Sequence, residues 1–260
     1  MIDSALHSLA CADLTIDVAD RTLVRALNMS VPRGAVTCVL GRNGAGKTLT
    51  MHTLAGVRAA RAGNVMLGGR DIASWPRKEL ACTLGLLTQT TDDPFPSTAL
   101  ETVLIGRHPH IGFWQWENER DRHVAREALR CVDLLDFESR DVATLSGGER
   151  RRVAIATLLA QDPALMLLDE PINHLDPHHQ IAVLRLLRDR AREGRTVLLS
   201  LHDATLAARF SEYALLLFGN GEWLFGEIDD VVTTETMSRL YGLRVQELNW
   251  EGGRAFVAAE

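Results

Sequence analysis

Residues 41–48 read GRNGAGKT. Glycines, a lysine and a threonine at this spacing form a loop whose backbone can wrap phosphate oxygens. Gly41, Gly44 and Gly46 admit main-chain N–H groups where side chains would collide, and Arg42, Asn43 and Ala45 belong to the same cofactor-binding loop. Lys47 would place its ammonium on β- and γ-phosphates, and the Thr48 hydroxyl would ligate Mg2+. Such a loop needs an acid at the end of a neighbouring strand. The run ALMLLDEP, residues 164–171, supplies Asp169 to hold the metal. Glu170 follows directly, where a carboxylate can polarise an attacking water as general base.

A second candidate cradle opens the run LSGGERRRVAIATLLA, residues 145–160. Ser146, Gly147 and Gly148, followed by Glu149, begin an apolar helical pattern, and a helix N-terminus collects free N–H groups and positive dipole. A Ser-capped helix with no ligand would explain the serine and one glycine. The run NHLDPHHQ, residues 173–180, offers His174, Asp176, His178 and His179 as metal ligands. That reading is set aside, since His178 and His179 are adjacent and would diverge on a helix.

The elements that must position these residues are legible as periodicity. TLVRALNMSV alternates as a strand should, and AVTCVL is a short apolar run between turn signals, as in a buried strand. KTLTMHTLAGV predicts a helix ended by Gly56, and GNVMLGGRDI a hairpin turning at Gly68-Gly69. From Asp92 to Thr144 the pattern changes: a Pro-rich turn, DDPFPS, then helical runs in ALETVLIGR and NERDRHVAREALRCVDLLDF. The apolar runs in ALMLLDEP and TVLLSLHD predict two further buried strands, so strands alternate with helices as in a mostly parallel sheet. The tail from Ser211 predicts hairpins and a short helix.

The 260 residues suffice for one core domain with an inserted subdomain. No apolar run is long enough to span a membrane, and the N-terminus lacks the pattern of a secretory signal. Four scattered cysteines form no C-x-x-C pair, which suits a reducing compartment. A formal net charge of −6 argues against a nucleic-acid partner.

The order of GRNGAGKT, LSGGER, LLDEP, LD and LHD resembles ATP-binding cassette (ABC) proteins over about residues 14–225. The resemblance implies an α/β P-loop NTPase cassette: a mostly parallel core sheet, an N-terminal antiparallel β subdomain and an inserted α-helical subdomain. It implies one domain, with residues 1–91 and 145–260 as core plus β subdomain and 92–144 as the helical insert. It implies ATP and Mg2+ as cofactors and a head-to-tail homodimer, in which Ser146, Gly147, Gly148 and Glu149 of one chain cover the ATP on the phosphate loop of the other. Gln89 looks like the glutamine that touches Mg2+ and the attacking water. His202 looks like the switch histidine on the γ-phosphate, and Asp176 lies in the loop crossing to the opposite cassette. An aromatic ring usually stacks on adenine in the first strand segment; by register that position is Ile16, so weaker base binding is expected. Ile172 replaces the usual threonine after DEP.

The run TALETVLIGRHPH, residues 98–110, resembles the V-x-x-G-R-x-P-H stretch of cassettes that serve ferric siderophore, haem and cobalamin importers. That implies an ATPase peripheral to the cytoplasmic face of the membrane. Its partners would be integral permease subunits, whose coupling helix docks near Gln89 and the insert, and indirectly a periplasmic or lipoprotein binding protein. Trp114 and Trp116 would either pack inside or meet that coupling helix. An exporter, another importer class or a soluble non-transport ABC protein remain the alternatives.

Overall fold

The computed structural model describes residues 7–89, 96–112 and 114–259. The predicted turn at residues 92–97 lies mostly outside them. Strands β1 (His7–Val18) and β2 (Arg21–Pro32) form an antiparallel hairpin. β3 (Val36–Gly41) then leads into helix α1 (Lys47–Leu54). β4 (Ala62–Leu67) and β5 (Arg70–Asp71) turn at Gly68-Gly69 as predicted, and complete an antiparallel sheet of order β2-β1-β4-β5. After α2 (Arg77–Thr83) and β6 (Leu84–Leu87) come α3 (Ala99–Leu104) and α4 (Glu119–Cys131). The chain returns through α5 (Gly147–Gln161), β7 (Leu165–Leu168), α6 (Pro177–Arg192), β8 (Thr196–Leu201) and α7 (Ala204–Phe210). It closes with the β9 (Tyr213–Leu217) and β10 (Trp223–Glu227) hairpin, α8 (Ile228–Val231), α9 (Thr234–Tyr241) and the β11 (Val245–Trp250) and β12 (Gly253–Ala258) hairpin. The tail thus holds two helices where the sequence suggested one.

The central sheet has the order β10-β9-β3-β8-β7-β6 and is parallel except for β10. Every residue of β3, β7 and β8 is buried, which is why these strands read as continuous apolar runs. Their side chains alternate between two cores. Cys38, Leu40, Met166, Leu168, Leu199 and Leu201 face the core shared with α3 to α7. Val39, Leu165, Leu167 and Leu198 face the core shared with α1 and the antiparallel sheet. Ile172 is 7% exposed and belongs to the first of these cores, so an apolar side chain after DEP is accounted for by packing. Among the described residues, no helix is long and apolar enough to cross a membrane.

Helices start where side chains can satisfy their orphan N–H groups. Thr98 with Glu101, Asn118 with Asp121 and Ser146 with Glu149 each form a reciprocal capping box. Two predicted helical runs are shorter than their periodicity. α4 stops at Cys131 and the chain passes through Asp133 at φ 56° to a 3-10 turn. After α3, residues Ile105–His110 tighten into 3-10 turns. Pro109 lies inside this stretch and has no N–H with which to continue an α-helix, and the stretch also docks against α5. A side chain at Gly106 would overlap the Thr157 carbonyl oxygen. Arg107 Nη1 donates to Ala160 O at 2.7 Å, and His110 Nε2 meets Gln161 O at 2.8 Å. The GRHPH run therefore satisfies the carbonyls that the end of α5 leaves unpaired. Arg107 also holds the buried Asp121 at 3.2 Å. Arg107→Met is expected to lower unfolding free energy by about 3 kcal/mol, because it leaves that carboxylate buried without its cation. Urea denaturation measures the loss.

Candidate phosphate and carboxylate site

The ends of β3, β8 and β7 lie side by side on one sheet edge, the edge where open parallel sheets bind ligands. From the end of β3 the chain turns through Gly44 at φ 78° and Gly46 at φ 102°, and α1 begins at Lys47. A Cβ on Gly41 would sit 2.8 Å from Leu217 O, so this approach requires glycine. Lys47 is 5% exposed, and its Nζ donates to Gly41 O at 2.9 Å. Burial pushes its ammonium below the ordinary lysine range, opposed by the nearby Glu170 and Asp169 carboxylates. Asn43, Gly44, Lys47 and Thr48 line one side of a cleft that Gln89 and Glu170 complete.

Asp169 and Glu170 follow β7. Asp169 is fully buried; its Oδ1 accepts from Ser200 Oγ at 2.6 Å, while Oδ2 is buried with no hydrogen-bond partner. A buried carboxylate oxygen left unpaired is costly, and it fits a cation or a cation-bound water. Glu170 adopts φ 51°, a left-handed conformation that costs a non-glycine residue about 1–3 kcal/mol. Three side chains hold its carboxylate. Gln89 Nε2 donates to Oε2 at 2.9 Å, Asn173 Nδ2 donates to the same oxygen, and His202 Nε2 lies 2.6 Å from Oε1. The result is an oriented carboxylate beside a phosphate-type loop, which suits activation of a water.

Sequence reasoning named Glu170, Gln89 and His202 and missed Asn173 and Ser200. Ser200 Oγ accepts from the Glu170 N–H at 2.8 Å while donating to Asp169, so one hydroxyl ties both acids to β8. Its signal was present as a single polar residue inside TVLLSL.

Ile16 is misassigned. It is 0% exposed and packed in the core of the antiparallel sheet, where no base can reach it. Val18, the last residue of β1, is 45% exposed and lines the cleft with Gly44 and Lys47.

Ser146, Gly147, Gly148 and Glu149 line a second cleft with His174 and Asp176. The Ser146 hydroxyl accepts from Glu149 N–H at 3.2 Å, and Glu149 Oε2 accepts from Ser146 N–H at 2.7 Å. That bond, with the Ser146 hydroxyl, holds the Glu149 carboxyl below its usual range. A Cβ at Gly147 would meet open space, so the helix start is accessible. Asp176 caps α6, accepting from His179 N–H at 2.9 Å and pairing with His179 Nδ1 at 2.8 Å. The His178 and His179 rings do not diverge; they meet edge to face at 5.3 Å. Trp114 and Trp116 are 89% and 86% exposed, which removes the core-packing alternative for both.

A phosphate loop, paired acids after a buried strand and a serine–glycine helix start define an ATP-binding cassette. The ABC transporter family model matches residues 24–173, and the chain belongs to that family as an ATP-binding ATPase. It is 36% identical to the iron(3+)-hydroxamate import ATP-binding protein FhuC of Bacillus subtilis (strain 168), over 91% of this chain and 88% of that one. It is 35% identical to the hemin import ATP-binding protein HmuV of Rhizobium meliloti (strain 1021), over 90% and 91%. It is 37% identical to the ferric enterobactin transport ATP-binding protein FepC of Escherichia coli (strain K12), over 89% and 86%. A solved inward-facing metal-chelate type ABC transporter superposes with a TM-score of 0.85 at 28% identity, covering 98% of both chains. The dimeric, post-hydrolysis cassette MJ0796 bound to ADP and phosphate superposes at 0.75, with 25% identity over 85% of this chain and 98% of that one.

Ser200→Ala is expected to cost about 1–3 kcal/mol, because it strands the Glu170 N–H and one Asp169 oxygen inside the protein. Chemical denaturation followed by tryptophan fluorescence reads this directly.

Proposed function

We propose that the chain is the ATPase subunit that powers a membrane importer for an iron–siderophore, haem or cobalamin chelate. The observation that carries the hydrolytic part is the Glu170 carboxylate, held by Gln89, Asn173 and His202 at the edge of the Lys47 cleft. Names given to relatives for iron-hydroxamate, hemin and ferric enterobactin import support the cargo class. Permease subunits provide the membrane path, with Gln89 and the exposed Trp114 and Trp116 near their docking surface.

In this reading the loop from Gly41 to Thr48 wraps the phosphates of ATP through its N–H groups, and Lys47 leaves its own loop carbonyls to meet the γ-phosphate. Thr48, Gln89 and the unpaired oxygen of Asp169 would hold Mg2+, which would supply positive charge beside the phosphates. Glu170 takes a proton from the attacking water, and His202 fixes the carboxylate's direction. Ser146, Gly147 and Gly148 bind the γ-phosphate held by a second copy of the chain, with Glu149 and Asp176 at the same junction. Their location in a separate cleft from Lys47 favours this sharing between two chains. ATP thereby joins two cassettes, and hydrolysis releases them to drive the permease.

Lys47→Ala should abolish ATP binding, whereas Glu170→Gln should keep binding, stop turnover and accumulate an ATP-bound dimer on size exclusion. Normal turnover by Glu170→Gln would remove Glu170 from the base role. For the cargo, source cells lacking the chain should fail to grow on one chelate supplied alone, with rescue by wild type and not by Glu170→Gln. Growth on every chelate would remove the metal-chelate assignment and leave a cassette whose permease is still to be found. Val18 is the adenine-facing position, so Val18→Tyr should tighten ATP binding by about 1 kcal/mol or more, roughly fivefold in Kd. Ile16→Tyr should instead destabilise the fold by about 1–3 kcal/mol through overpacking. Equilibrium dialysis and denaturation distinguish the two.

A further inference from the structure

Arg151 lies in the second turn of α5, just beyond Ser146–Glu149, and is 5% exposed. A guanidinium has five N–H donors in a planar fork, and here all the acceptors are main-chain carbonyls. Nη1 donates to Thr88 O at 2.7 Å and Gln89 O at 3.4 Å. Nη2 donates to Asp169 O, and to Glu170 O at 2.9 Å; Nε donates to Pro171 O at 3.3 Å. Two segments far apart in sequence, one following β6 and one following β7, therefore converge on one side chain. Burial works against the charged guanidinium, while the adjacent Asp169 and Glu170 carboxylates favour it.

The arrangement constrains position more than it adds affinity. A buried cation tolerates little displacement of its acceptors, since an unpaired one costs several kcal/mol. The Gln89 and Glu170 main chains are thus held at a fixed separation, and their side chains meet at 2.9 Å. Both are also fastened to the helix that begins with Ser146, Gly147 and Gly148. We propose that Arg151 is a positioning residue that joins the α5 start, the Gln89 segment and Glu170 into one body. A load on the serine–glycine end of α5 then reaches the Glu170 carboxylate of the same chain. This rests on the assignment of Glu170 as the hydrolytic base.

The test is Arg151→Lys and Arg151→Gln in the full chain, with Glu170→Gln in parallel. Lysine keeps the charge but concentrates its donors at one atom, so it cannot span both segments. Folded protein is counted by stoichiometric ATP binding, and kcat and KM are measured per ATP-competent molecule. Arg151→Lys should bind ATP within about twofold of wild type and lose roughly 10- to 100-fold in kcat, the scale expected when a reacting group moves by about 1 Å. Arg151→Gln should lose at least as much. If both variants keep wild-type kcat per competent molecule while Glu170→Gln is inactive, the positioning role is overturned and the base assignment stands. The same holds if they lose only folded protein. Normal turnover by Glu170→Gln would overturn the assignment on which the proposal rests.

Discussion

Two adjacent carboxylates leave the end of β7 with almost no contact with water, Asp169 at 0% and Glu170 at 7% exposure. Withdrawing such ions from solvent costs several kcal/mol each unless polar partners replace the water. Much of the surrounding architecture answers that demand. β8 brings Ser200 to the Asp169 carboxylate and the Glu170 N–H, and His202, directly after its end, meets the Glu170 carboxylate. The segment after β6 brings Gln89, the turn after DEP brings Asn173, and α1 brings the Lys47 ammonium. The parallel order β3-β8-β7-β6 is what lets four chain segments arrive at the same edge.

Much of this was legible in the sequence because it depends on local rules. The phosphate loop is a spacing constraint, β3, β7 and β8 are unbroken apolar runs, and the Gly68-Gly69 turn is a two-residue signal. What escaped depends on convergence through space. Asn173, Ser200 and Arg151 are ordinary residues in sequence, and they matter because strands far apart along the chain place carbonyls and carboxylates beside them. The shortened helices escaped for a related reason. Periodicity could not anticipate that Gly106 lies against the Thr157 carbonyl, or that Arg107 and His110 are engaged by the end of α5.

The Ile16 misassignment has its own cause. The β1–β2 pairing carries register shifts on both sides of Ile16, and Asp13, Ala19 and Ala26 have positive φ. Counting along an ideal strand through such irregularities does not locate the end of the hairpin. Ile16 pairs with Val24 inside the sheet, whereas Val18 pairs with Arg21 at the turn, where the core no longer covers it. Parity along the strand is the same for both; the difference is how far each lies from the edge of the packed layer.

The capping box at the start of α5 bears on how a second chain would be met. The Ser146 oxygen accepts from the Glu149 N–H and its hydroxyl turns to the Glu149 carboxylate, which fixes the side-chain rotamer. Rotational freedom that a loose serine would surrender on meeting a phosphate has been surrendered when the helix forms. Under the proposed pairing, assembly of two cassettes would begin from a helix start that is already ordered. The entropy of ordering it would then be lost on folding, once, and not in every cycle of closure.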